Sequence, residues 1–130
     1  MIPRSSTGAY LLDTSALLTY LGNEPGAEKV EALLRAAGKD QCKVLLCFLS
    51  MQEACSETWM REGEEAARLL YSRLIRLPVE RVGPSDRLLW LACEIKTTRP
   101  VSVAESWIFA AAKQHQAVLV HKAPALERIP

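Results

Sequence analysis

Apolar positions in this chain follow two rhythms. Short runs without polar interruption, Ala9 to Leu12, Val44 to Phe48 and Ala117 to Val120, read as strands buried on both faces of a parallel sheet. Between them apolar residues recur at helical spacing: Ala27, Val30, Leu34 and Ala37; then Ala66, Leu70 and Leu74; then Leu88, Leu91, Ala92 and Ile95; then Ala104, Trp107, Ile108 and Ala111. Helices are predicted over 14–21, 27–37, 51–61, from Gly63 to about 76, from Pro84 to about 96, and from Ser102 onward. Gly22-Asn-Glu-Pro-Gly, Gly38-Lys-Asp, Gly63 and Pro100 punctuate them, and 78–82 reads as one more short strand. Beyond Val120, Pro124 and Pro130 argue against a further full element.

Strands alternating with helices predict an α/β protein, a three-layer α/β/α sandwich around a mostly parallel sheet. At 130 residues the chain is expected to be one domain, 1–130. The runs Val44 to Leu49 and Trp107 to Ala112 fall well short of the roughly 18 residues a membrane span needs. No leader pattern reads at the N-terminus, so a cytoplasmic protein with no membrane partner is expected. Sixteen Lys plus Arg against 15 Asp plus Glu give a net charge of +1, which offers no general attraction for nucleic acid beyond a local strip. Cys42, Cys47, Cys55 and Cys93 match neither a disulfide ladder nor a metal clip and read as buried free thiols.

Chemistry concentrates in three acids. Asp13 stands where the first strand gives way to a helix, and an unpaired carboxylate cannot be buried there without a partner. Glu53 and Glu105 each fall three residues after a serine, Ser50 and Ser102, at predicted helix starts. Either spacing is that of a capping box, and Asp13 too is placed to cap its helix. Ligands of open α/β sheets bind at the carboxyl ends of the strands. Three acids converging there would repel one another unless a cation joined them, and an all-oxygen set suits Mg²⁺ or Mn²⁺. Such an ion can activate water against a phosphodiester.

Leu-Leu-Asp13-Thr-Ser-Ala, Ser50-Met-Gln-Glu53 and Ala104-Glu105-Ser-Trp-Ile-Phe-Ala-Ala, in that order and each beside a strand, resemble the PIN-domain family, and within it the VapC toxins. The resemblance runs from about Tyr10 to Glu127. It implies an α/β/α fold, metal-dependent cleavage of RNA with Mg²⁺ or Mn²⁺, a homodimer, and silencing by a cognate antitoxin protein. By the same resemblance Asp13, Glu53 and Glu105 hold the metal and act as the catalytic acids, and Ser15 orients the Asp13 carboxylate.

Two departures from the family pattern stand out. Its third acid is usually Asp, where this chain has Glu105, one methylene longer. Its Thr-x-Asp segment after the last strand here reads His121-Lys-Ala123, with no acid. Glu127 is the candidate substitute, and His121 a candidate phosphate contact. Weaker metal binding and reduced activity are therefore expected, and a catalytically impaired PIN-like domain serving as a binding or assembly module is the alternative. A receiver-like domain fits less well, lacking the Lys and acidic pair of that fold. Arg61, Arg68, Arg73 and Arg76 recur on adjacent helices as an RNA groove or a solvated face. Trp59, Trp90 and Trp107 read as core or dimer contacts. Apolar neighbours such as Leu69 with Leu70 and Leu88 with Leu89 put apolar side chains on more than one side of a helix, as a dimer would require.

Overall fold

The computed structural model describes residues 8–122 and the backbone of 126–128. In chain order the elements are β1 (Ala9–Leu12), α1 (Thr14–Leu21), α2 (Ala27–Gly38), β2 (Lys43–Cys47), α3 (Phe48–Glu62), α4 (Glu64–Leu74), β3 (Glu80–Val82), α5 (Asp86–Thr98), α6 (Val103–Gln114), β4 (Val118–Val120) and β5 (Leu126–Arg128). The sheet has the order β3-β2-β1-β4-β5, parallel except for the antiparallel pairing of β5 with β4.

Alternation along β1 and β2 divides the core in two. Tyr10, Leu12, Val44 and Leu46 face a layer built from α1, α2, α3 and α4, with Leu17, Val30, Leu34, Leu70 and Leu74 against them. Leu11, Leu45 and Cys47 face the other way, toward Leu88, Ile95, Ile108 and Ala111 of α5 and α6. This is the expected α/β/α sandwich. Each buried leucine contributes about 1.5–3 kcal/mol by leaving water, so both faces of the short central strands hold the helices in place.

Two boundaries moved and one strand was added, each for a local reason. The strand expected to run through Phe48 stops at Cys47, and α3 begins at once with Phe48 and Leu49 packed on the second core. An unbroken apolar run does not reveal where strand becomes helix. Ser85, not Pro84, caps α5, its hydroxyl accepting from the Leu88 N–H at 3.1 Å. Prolines near the end did not prevent β5, which pairs Leu126 with Val120 and Glu127 with Leu119. An edge strand donates to one neighbour alone, so nearby proline is tolerated.

Of the cysteines, Cys42 and Cys47 are buried as expected, Cys55 is half-buried, and Cys93 is exposed; all four are free. Trp107 meets Phe48 edge to face with ring centroids 5.5 Å apart, beside the second core. Trp90 stands largely in solvent, as do Met60 and Leu69, and Trp59 is half exposed.

Candidate active site

Sheet order makes the end of β1 special. β2 lies on one side of β1 and β4 on the other, so the chain crosses over in opposite directions from this strand, which leaves a crevice at its carboxyl end. Asp13 is the next residue. The parallel register pairs Leu12 with Leu46 on one side and with Val120 on the other. Asp13 and His121 therefore follow their strands in one row with Cys47, the last residue of β2, and the Asp13 N–H donates to the Val120 carbonyl at 3.1 Å.

The Asp13 carboxylate is held at both oxygens. Oδ1 accepts from the Ala16 N–H at 2.8 Å, which makes Asp13 the N-cap of α1, and from the Ser15 hydroxyl at 2.7 Å. Oδ2 lies 2.9 Å from His121 Nδ1. The Asp13 side chain is 17% exposed and that of His121 29%, so both remain within reach of a small ligand. Ser15 also accepts from the Lys122 N–H at 3.1 Å, fastening the segment after β4 to the first turn of α1. Ser15 touches the carboxylate as the resemblance implies.

Glu53 is not in a capping box. α3 has Cys47 at its N-cap, so Ser50 is already inside the helix and Glu53 lies on the turn after it. Its Oε1 instead accepts from the Thr14 hydroxyl, and that hydroxyl also sits 3.0 Å from Ser50 Oγ. From sequence Thr14 carried no assigned role, and Ser50 only that of a helix cap. A serine with no exposed surface inside a helix demands a hydrogen-bond partner, and the first turn after an acid is a natural place to find one.

Glu105 behaves differently. Ser102 Oγ accepts from the Glu105 N–H at 3.1 Å and Glu105 Oε1 accepts from the Ser102 N–H at 2.9 Å, a complete capping box on an exposed turn. That bond engages one of its two carboxylate oxygens. Among the described residues no three or more His, Cys, Asp or Glu side chains gather around one point as a ready-made metal cluster. The structure thus joins Asp13 to Glu53 through Thr14, adds His121, and leaves Glu105 capping its own helix. Ala123 and the Glu127 side chain lie outside the described residues, though the Glu127 backbone is in β5.

The donor chemistry at Asp13 nonetheless suits a divalent ion. A carboxylate oxygen and an imidazole nitrogen, with a second carboxylate hydrogen-bonded to the adjoining Thr14, are hard and borderline donors of the kind such ions take. The arginines offer less: Arg61 pairs with Glu57 and Glu62, and Arg68 with Glu64, all exposed. At Arg61 and Arg68 the matched charges form a solvated face more than an RNA groove. His115 is the C-cap residue of α6.

The model of the PIN domain family matches residues 10–130. Among solved structures, VapBC-1 from nontypeable Haemophilus influenzae aligns with TM-score 0.64 and 22% identity over 85% of this chain and 84% of its own. VapBC2 from Rickettsia felis, bound to a promoter DNA fragment, aligns with TM-score 0.69 and 14% identity over 85% and 84%. VapC20 of Mycobacterium tuberculosis, a toxin that cleaves the sarcin-ricin loop, aligns with TM-score 0.60 and 20% identity over 83% and 84%. At these identities the likeness is one of fold. No curated protein matches the chain by sequence.

Proposed function

The chain belongs to the PIN-domain family, and on that premise we propose that it is a metal-dependent endoribonuclease, the VapC-like toxin of a toxin–antitoxin pair. Asp13, Glu53 and Glu105 are the acids assigned to hold Mg²⁺ or Mn²⁺, with Ser15 orienting Asp13. Bound there, the ion would activate a water and stabilise charge gathering on a phosphodiester. The single observation that carries the reading is Asp13 at the β1 switch point, its neighbour Thr14 tied to Glu53. For Glu105 the support is topological. The short link from Gln114 to Val118 turns α6 back along the sheet, so its first turn lies toward the carboxyl edge. Glu127 is the fourth candidate, through its strand beside β4.

The chain itself binds and orients. Ser15 and the Ala16 N–H fix one oxygen of Asp13, leaving Oδ2 to face the crevice beside His121. Thr14 fixes one oxygen of Glu53 in the same way. The likeness to a toxin–antitoxin complex and to VapBC-1 supports a cognate antitoxin protein as partner; an RNA substrate and a second copy of the chain complete the proposed set. Exposed Met60, Leu69 and Trp90 supply apolar surface for such contacts. A monomer by light scattering at micromolar concentration would remove the homodimer.

A second reading is favoured by one observation: Glu105 is engaged in a capping box rather than gathered with the other acids. On that reading the domain has lost catalysis and serves as a binding or assembly module. The two are separated by RNA cleavage with Mn²⁺, using antitoxin-free protein and Asp13→Ala. Cleavage lost in the variant supports the nuclease; equal background in both supports the module.

A further inference from the structure

We propose that His121 is a direct ligand of the divalent ion assigned to Asp13, and that its nitrogen turns the site toward Mn²⁺ and later transition ions over Mg²⁺. The inference rests on the metal-dependent reading above and adds a residue and an ion preference to it.

His121 is where it is because of register. Leu12 and Val120 are paired across β1 and β4, so the residues that follow them emerge side by side at the carboxyl edge. The Asp13 N–H bond to Val120 holds that row together, and the Lys122 N–H bond to Ser15 pins the backbone on the far side of His121. The imidazole is thus positioned from both neighbours.

The resulting gap is informative. Nδ1 and Oδ2 stand 2.9 Å apart. Two adjacent ligands of an octahedral ion with bonds of about 2.1 Å are separated by about 3.0 Å. That spacing serves a hydrogen bond as it stands and matches equally the adjacent ligands of a shared ion. With its hydrogen on Nδ1 the ring donates to Asp13; with the hydrogen on Nε2, Nδ1 presents a lone pair to an ion. The second arrangement takes a change of tautomer and a turn of the ring that swings the lone pair off the Nδ1···Oδ2 line toward the ion.

Ion preference follows from donor type. Mg²⁺ favours oxygen and keeps several waters, whereas imidazole suits the first-row transition ions, with affinity rising from Mn²⁺ toward Co²⁺ and beyond. A histidine at the rim of a carboxylate site adds affinity for the second group and little for the first. With a nitrogen donor present, the missing acid at Ala123 is compensated by a different kind of ligand rather than by another carboxylate.

The test is direct because the chain has two histidines, His121 and His115. Purified protein is loaded with Mn²⁺ and examined by pulsed electron paramagnetic resonance for hyperfine coupling to a bound ¹⁴N. Coupling is expected in the wild type and in His115→Asn, and is expected to vanish in His121→Asn. Calorimetric titration should show Co²⁺ affinity falling at least about tenfold in His121→Asn while Mg²⁺ affinity stays within about twofold. Mn²⁺ bound through Asp13 but without nitrogen coupling, or coupling that survives in His121→Asn, overturns the role of His121 and leaves the metal-dependent reading standing. No Mn²⁺ binding to the wild type overturns both.

Discussion

Thr14 donates its hydroxyl hydrogen to Glu53 across a separation of 39 residues, joining the first turn of α1 to the second turn of α3. Such a bond to a carboxylate contributes about 1.5–3 kcal/mol where it is shielded from water. It also sets the direction in which Glu53 points. Thr14→Val keeps the shape and removes the hydroxyl. The variant is expected to lose about 1–2 kcal/mol in urea denaturation and to bind Mn²⁺ more weakly, while Thr14→Ser retains both. Unchanged stability in Thr14→Val would mean that water replaces the bond.

Glu105 can be assigned by a substitution that separates its two roles. Glutamine at the same position can still accept from the Ser102 N–H, so Glu105→Gln keeps the capping box while removing the charge. Stability is expected to change by less than about 0.5 kcal/mol, and RNA cleavage with Mn²⁺ to fall at least about tenfold. Full cleavage by this variant would confine Glu105 to its helix cap.

How far the sequence revealed this depends on which signal each residue carried. The buried runs at Leu11, Leu45 and Leu119 announced the central strands, because a strand covered on both faces has no polar alternation to lose. Asp13 was legible because a charge after such a run must find partners. The Asp13–His121 pair was not, since it depends on β4 lying next to β1 and on their register, and neither is written in local spacing. Glu53 was given the right neighbourhood for the wrong reason. Ser50-Met-Gln-Glu53 mimics a capping box, yet the helix starts at Phe48, where apolar packing overrides the cap signal.

Cys47 gives the protein a pH dependence at the alkaline end. Burial pushes its thiol upward, the Glu53 carboxylate adds to that, and hydrogen bonds from the Leu49 and Ser50 backbone oppose it. Above the ordinary thiol value of 9.0, the unfolded chain gives up this proton while the folded chain keeps it. The folded state then binds more protons, so stability falls as pH rises past that point and is fully present below it. Burial raises Cys42 and Cys55 in the same direction. Urea denaturation at about pH 8 and about pH 10 is expected to show a smaller loss for Cys47→Ala than for the wild type. Equal losses would show that the thiol ionises alike in both states.

Gly26 links the backbone of α2 to the same site. It occupies φ +103° at the start of that helix, and a Cβ there would come within 3.1 Å of the Lys122 carbonyl oxygen. Where a glycine's conformation is compatible with a side chain, replacement by alanine stabilises by about 0.4–1 kcal/mol; where φ is positive it destabilises by more than that. Gly26→Ala is therefore expected to cost about 1–2 kcal/mol. The consequence reaches further, because the Lys122 N–H holds Ser15 and Ser15 holds Asp13. Pushing Lys122 outward should loosen both bonds and weaken Mn²⁺ binding along with stability. A stabilised Gly26→Ala would show that the 122 segment yields without strain; a destabilised variant with undiminished Mn²⁺ affinity would show that Ser15 holds Asp13 without help from it.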